Sequence, residues 1–285
     1  MKKLFAIVFI LLFSFCSKRE SPYPRLIIPD ADDIVEVNTK HMLKSEPELL
    51  AINFGKDTTI LPFKERNSNN SIVDFKKDTI FPRFDLKIII DTTYDFHSKY
   101  FEYKWCDEVK VWDTIHKVYG FAKFDDQLIF RKYFGKYQKL RDNDVAAYPL
   151  LIYNRGNKNA YLKEIRLYDF RIIQEAKDVD GKWKPIEYRF DLPSDILDYY
   201  FYKLQPKKYI ATSIIKYNGD FKTKLRVKVR FGTNYYYSNE ITGSINRSQF
   251  NTDFIYPFLG LFEHIIGEKK DFPTIKKGML LQYQY

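Results

Sequence analysis

The chain has 285 residues and carries 47 basic and 37 acidic side chains, which gives a net charge of +10. Eleven glycines and twelve prolines are too few for a low-complexity or fibrous protein, whereas 25 phenylalanines and 23 tyrosines favour β-strands. A chain of this length can bury the core of one large domain or two ordinary domains.

The first sixteen residues have the pattern of an export signal. Lys2 and Lys3 precede a largely apolar stretch without charged residues from Leu4 to Phe15, and Cys16 follows directly. A helix of twelve residues is about 18 Å long, which is shorter than the roughly 30 Å hydrocarbon core of a membrane. We therefore predict that residues 1–16 direct export and do not span a membrane.

The residues that end this signal, Phe13-Ser14-Phe15-Cys16, resemble the corresponding part of a bacterial lipoprotein signal. The resemblance implies that Cys16 is acylated, becomes the first residue of the mature protein and anchors it to a membrane. Two alternatives remain, namely ordinary signal-peptidase cleavage after Cys16 or an uncleaved signal anchor. Residues 17–30, with two prolines in Ser21–Pro24, are predicted to form an extended tether. With Cys16 acylated, Cys106 has no partner for an intramolecular disulfide.

The region 31–139 is predicted to be β-rich. Asp followed by Thr recurs at irregular intervals, which is typical of turn residues that enter β-branched strands and not of a solenoid repeat. The recurrences lie at 57–60, 78–80, 91–93 and 113–115. Leu86–Ile90 and Tyr100–Trp112 are strand candidates. Asp32–Leu50 is a candidate helix that Pro47 would end or bend.

From residue 140 to residue 250 the strand pattern becomes regular. Short apolar stretches alternate with turn sequences such as Asn154–Asn157, Asp178–Gly181 and Asn218–Asp220. About seven strands in roughly a hundred residues are typical of an antiparallel β-sandwich. The remaining residues, 251–285, form a C-terminal extension in which the apolar run Phe258–Ile266 indicates a short helix.

The region 140–250 resembles the immunoglobulin-like modules of exported bacterial proteins. More narrowly, Gln174–Asp178, Gly181–Glu187 and Tyr237–Glu240 are similar to Bacteroidetes-type lipoproteins. This resemblance implies an immunoglobulin-like β-sandwich without known catalytic residues. The stretch Ser17–Glu20 lacks the acidic run of surface-exported relatives, which implies a cell-envelope protein that faces the periplasm.

The clearest alternation in the sequence lies within Lys222–Phe231. In a strand, apolar residues at every second position would share one face, and the cations between them would share the other. Same-face residues about 6.7 Å apart would then form a positive ridge about 20 Å long. Consecutive tyrosines elsewhere must expose some rings. The candidate ligand-binding residues are therefore Lys224, Arg226, Lys228, Arg230, Tyr200, Tyr202 and Tyr236. The alternative is a solvated sheet face whose cations pair with acidic residues on neighbouring strands.

The sequence contains no clear catalytic or metal-binding pattern. The four histidines lack metal-ligand spacing, and Asp178-x-Asp180-Gly181 lacks the remaining ligands of a calcium loop. The adjacent carboxylates at 107–108 and 125–126 would point to opposite faces of a strand. We therefore expect no cofactor, no metal and no catalytic residue.

Together these patterns favour a mainly β cell-envelope lipoprotein that acts as a non-enzymatic binding or structural module. Its expected partners are the membrane, through the lipid anchor, and a glycan or an envelope protein. Residues 140–285 carry 24 basic and 17 acidic side chains, but nucleic acid is not expected because exported proteins rarely meet it. The alternatives are a glycan-acting hydrolase with a site between the two regions, or a scaffold subunit of an envelope complex.

Overall fold

The computed structural model describes residues 23–27, 30–31, 33–40, 42–45, 49–56, 72–73, 82–101, 142–164, 171–188, 200–231 and 234–251. The fold of these residues is mainly β with antiparallel sheets, as predicted. The immunoglobulin-like topology stays a prediction. The signal, most of Tyr100–Trp112, three of the four Asp-Thr sequences and residues 252–285 lie outside the described residues.

The described strands are numbered along the chain. They are β1 Ile34–Val35, β2 Leu43–Lys44, β3 Ala51–Phe54, β4 Ile72–Val73, β5 Leu86–Ile90, β6 Phe96–Phe101, β7 Asp142–Asn154, β8 Ala160–Glu164, β9 Ile172–Lys177, β10 Trp183–Pro185, β11 Glu187–Tyr188, β12 Tyr200–Leu204, β13 Tyr209–Ile215, β14 Phe221–Phe231, β15 Asn234–Tyr237 and β16 Ile241–Ile245. The described part of the candidate helix at Asp32–Leu50 is not helical, because β1 and β2 pair with distant strands there. That prediction is therefore wrong for these residues.

The first sheet is built around β7. One edge of β7 pairs with β13, and β3 pairs with the far side of β13. The other edge pairs with β5 and with β6, because a bend at Thr93 and Tyr94 separates these two strands. The Asp91 carboxylate accepts hydrogen bonds from the backbone N and the hydroxyl of Thr93, at 2.9 and 2.7 Å. Asp-Thr-Thr is thus a turn at this position, as predicted.

The second sheet has the strand order β10-β9-β14-β15, with β16 also paired to β14. Its β9–β10 hairpin turns at Asp180-Gly181, where the sequence predicts it. Gly181 has a φ of +77°, a conformation that glycine adopts without a steric cost. Two smaller sheets, β4-β12-β8 and β11-β2, complete the described strands.

The main hydrophobic core lies between the two larger sheets. Ile88, Leu150 and Ile210 of the first sheet share it with Leu225 and Val227 of the second. Strands from both sides of residue 140 therefore contribute to one sheet and one core. The two predicted regions are joined because their apolar faces are buried against each other.

A smaller apolar cluster covers the opposite face of the first sheet. Leu26 packs in this cluster with Phe96 and Leu151, and the Leu26 backbone N donates a hydrogen bond to the Tyr94 hydroxyl at 3.0 Å. The predicted tether at residues 17–30 therefore differs from the structure at 23–27. These residues are packed on the sheet because Leu26 has an apolar surface to bury there.

Gly219 offers a direct test of the packing between the ends of β14 and β16. A Cβ atom at Gly219 would lie 2.1 Å from the Ile245 carbonyl carbon and 2.3 Å from its oxygen. Because backbone atoms cannot rotate away, we expect Gly219→Ala to lower the free energy of unfolding by about 3 kcal/mol. Urea denaturation followed by circular dichroism measures this loss.

Gly181→Ala is the matched control. Its Cβ would meet nothing within 4 Å, so that only the positive φ opposes the change. We expect a loss of about 1 kcal/mol. Equal losses in the two variants would contradict the close approach at Gly219.

Candidate functional site

The outer face of the second sheet combines cations with aromatic rings, and we call it the cation-aromatic face. It is defined by Glu175 and Lys177 of β9, Trp183 of β10, Lys222, Lys224, Arg226, Lys228 and Arg230 of β14, and Tyr235 and Tyr237 of β15. The alternation predicted for β14 holds, because Leu225, Val227 and Val229 point into the core.

Arg226 lies at the centre of the cation-aromatic face. Its guanidinium carbon is 4.3 Å from the ring centroid of Trp183 and 4.2 Å from that of Tyr237. The Arg226 Nε and Nη2 atoms each lie 2.7 Å from Oε2 of Glu175, its cross-strand partner. Two ring faces and a charge-assisted pair therefore hold this side chain in one position.

Lys228 shares the same carboxylate. Its Nζ lies 3.7 Å from Glu175 Oε1 and 4.9 Å from the ring centroid of Tyr235. Burial lowers the pKa of Lys228, the Glu175 carboxylate opposes this effect, and the nearby charge of Arg226 adds to it. Because Glu175 serves both cations, this part of the face has more positive than negative charge.

The expected open ridge of four cations differs from the structure. Lys224 is exposed, and its Nζ donates to the Thr242 hydroxyl at 3.2 Å. Lys228 and Arg230, however, are only 7% and 4% exposed. Lys228 and Arg230 are buried because the Tyr235 ring lies against both cations. The Glu175 carboxylate also covers Lys228. The open part of the cationic row is therefore its Lys222–Lys224 end.

Two of the three predicted tyrosines, Tyr202 and Tyr236, do not line this face. Tyr202 is fully buried in the main core. Tyr236 is also buried, burial raises its pKa, and its hydroxyl accepts a hydrogen bond from the Phe84 backbone N at 3.1 Å. The side chain of Tyr200 and the whole of Cys16 lie outside the described residues.

Sequence reasoning missed six members of the cation-aromatic face, namely Glu175, Lys177, Trp183, Lys222, Tyr235 and Tyr237. Tyr235 pairs with Arg230 and Tyr237 with Lys228, so that the two outer tyrosines of the run join the cations while Tyr236 turns inward. A sequence prediction with two residues between Phe231 and the next strand would have paired Tyr235 with Arg230. The pairing of Glu175 with Arg226 joins strands about fifty residues apart and leaves no local signal in the sequence.

A second polar cluster lies inside the core around Glu187. The Oε1 atom of Glu187 accepts hydrogen bonds from the Tyr217 hydroxyl at 2.8 Å and from Gln174 Nε2 at 2.7 Å. Its Oε2 accepts one from the Gln174 backbone N at 2.8 Å. Burial raises the pKa of Glu187, while the hydrogen bonds from Tyr217, Gln174 and Ser45 oppose that rise. These bonds join β9 and β11 to the chain that follows β13, which is a structural role.

Metal-binding groups and membrane-spanning helices are absent from the described part of the chain. No group of three histidine, cysteine or acidic side chains there could hold a metal ion. His97 Nδ1 lies 3.4 Å from Asp144 Oδ1, so this histidine pairs with one carboxylate. Nor does any helix among the described residues have the length and apolar character needed to cross a membrane.

Comparison with known proteins adds no assignment to this geometry. No protein-family model, no curated protein and no solved structure matches the chain.

The buried Glu187 predicts an unusual dependence of stability on pH. Its pKa in the folded state is raised above the ordinary value of 4.5, so the stability it contributes is fully present below that value. This stability is lost as the pH rises through the folded-state pKa. We therefore expect the free energy of unfolding of the native chain to fall, relative to Glu187→Gln, as the pH rises above 4.5. Urea denaturation of both proteins across a pH series measures this difference.

Asp178→Asn is a control with the opposite sign. A hydrogen bond from Lys184 lowers the pKa of Asp178 below 3.8, so its contribution is lost as the pH falls. A difference between the native chain and Glu187→Gln that stays constant with pH would contradict the assigned shift of Glu187.

Proposed function

We propose that this chain is a cell-envelope lipoprotein, anchored through acylated Cys16, whose cation-aromatic face binds an acidic polysaccharide without catalysing its cleavage. The observation that carries the binding proposal is the exposed pair Lys222 and Lys224, which shares a sheet face with the partly exposed ring of Tyr237. The anchor proposal is supported by the signal pattern that ends at Cys16.

The chemistry of the face suits a polymer that carries carboxylate or sulfate groups. Such groups can pair with the exposed Lys222 and Lys224, which are spaced about 6.7 Å apart along the strand. Tyr237 is 45% exposed, so its ring offers an apolar surface to the C–H groups of a sugar. An extended polyanion can place successive charged groups along the open Lys222–Lys224 end of the row.

Binding is favoured over hydrolysis by the state of the carboxylate on this face. The two oxygens of Glu175 are occupied by Arg226 and Lys228, at 2.7 and 3.7 Å. A general acid or base must be available to its substrate, and this carboxylate is committed to the two cations.

The binding proposal predicts selective affinity for acidic polymers. We expect polygalacturonate to bind the full chain and dextran, a neutral polymer, not to bind. Lys222→Gln combined with Lys224→Gln should lower the affinity for polygalacturonate about tenfold, because two exposed pairing cations are lost. Isothermal titration calorimetry at low ionic strength measures this change, since salt screens such exposed charges.

Lys207→Gln combined with Lys208→Gln is the matched control, because it removes two lysines that lie outside the cation-aromatic face. An equal loss of affinity in both double variants would indicate a response to net charge alone and would contradict the proposed site.

Tyr237→Ala tests the aromatic part of the face without changing the net charge. The ring contacts Arg226 and is 45% exposed, so its removal should weaken polygalacturonate binding and leave the fold intact. Circular dichroism serves as the control for folding. Unchanged affinity would limit the site to its lysines and contradict the stacking role.

A further inference from the structure

The described chain begins at one end of the first sheet. The Tyr23 ring lies 5.6 Å from Lys87 Nζ, and Lys87 pairs with Tyr153 next to the end of β7. Leu26 lies farther along the sheet, where it bonds to Tyr94. The segment 23–27 therefore runs from the end of the sheet towards its middle, and the residues before Tyr23 connect to the molecule at this end.

The same end of the sheet is rich in cations, and we call it the basic end. It is defined by five side chains, Lys87, Arg155, Lys158, Lys207 and Lys208, all exposed except the half-buried Lys208. Asp85 is also present and pairs with Arg155, with 2.6 Å between Nη2 and Oδ1. Among the described residues, one acidic partner for five cations leaves this surface positive.

Backbone hydrogen bonds fix the two turns that carry most of these cations. The Asn154 backbone N donates to the Lys208 carbonyl at 3.0 Å, and the Lys207 backbone N donates to the Asn154 carbonyl at 2.9 Å. The Asn154 side-chain amide also donates to the Leu204 carbonyl at 3.0 Å. The turn after β7 and the turn before β13 are thus held side by side, and the cations of both turns lie on one surface.

The opposite end of the sheet has a different charge. Asp33 and Glu36 flank β1, which pairs with β7 at Asp144, near the start of β7. Asp95 is exposed there as well, with Lys216 Nζ 3.9 Å from one of its oxygens. Two lysines, Lys40 and Lys216, accompany these three acidic side chains, so this end is much less positive than the basic end, and the asymmetry favours one orientation near a charged surface.

We propose that the basic end faces the anionic headgroups of the membrane that holds the protein. This inference rests on the proposed acylation of Cys16. Tyr23 is the seventh residue after Cys16, so the chain between them spans at most about 25 Å. The anchor thus keeps the basic end close to the bilayer. Each lysine near an anionic surface favours the bound orientation about fivefold, and several act together here.

Lysine labelling tests this orientation on the full chain. Protein that carries the acyl mass is placed in vesicles of phosphatidylcholine with phosphatidylglycerol, or of phosphatidylcholine alone. An amine-reactive reagent and mass spectrometry then give the labelling rate of each lysine. We expect Lys158 and Lys207 to react about fivefold more slowly in the anionic vesicles, and Lys40 and Lys216 to react equally in both.

Two double variants separate the basic end from net charge. Lys207→Gln combined with Lys208→Gln should restore the labelling of Lys158 towards its rate in neutral vesicles. Lys40→Gln combined with Lys216→Gln removes the same charge at the opposite end and should leave Lys158 protected.

The outcomes distinguish this inference from the proposed function. If the lysines at both ends are labelled at the same rate in anionic and in neutral vesicles, the orientation is overturned while the anchor stays in place. An equal response of Lys158 to both double variants would overturn it as well. A chain without acyl mass would overturn the anchor, and the orientation that depends on it would fall as well.

Discussion

The fold depends on the pairing of β7 along both of its edges. This strand has thirteen residues, and its partners β5, β6, β13 and β1 come from before and after it in the sequence. Leu150, Leu151 and Ile152 are fully buried, with successive side chains on opposite faces. The main core and the smaller apolar cluster are therefore built on the two sides of one strand.

In the second sheet, the same alternation of side chains separates the residues of the core from those of the cation-aromatic face. On β9, Gln174 points inward and bonds to the buried Glu187, whereas its neighbour Glu175 points outward and pairs with Arg226. A shift of one residue in this strand would exchange the two roles. The core network thus fixes the register that presents Glu175 to the cations, which links the stability of the core to the geometry of the cation-aromatic face.

Local patterns in the sequence predicted the parts of the fold that depend on neighbouring residues. The alternation within Lys222–Phe231 and the turn at Asp180-Gly181 are examples, because strand period and turn chemistry are local properties. The pairing of β9 with β14 could not be predicted, since it depends on how distant apolar faces meet. For the same reason the sequence did not show that Lys228 and Arg230 are buried, or that Tyr236 points into the core.

The proposed acylation of Cys16 would determine which end of the molecule meets a membrane and which face stays open to a polysaccharide. The most direct measurement is the intact mass of the protein purified from bacterial membranes, beside a Cys16→Ser variant. We expect a mature chain that begins at Cys16 and carries acyl mass, which the variant loses. A chain that begins at Ser17 without lipid, or that retains its first fifteen residues, would contradict it.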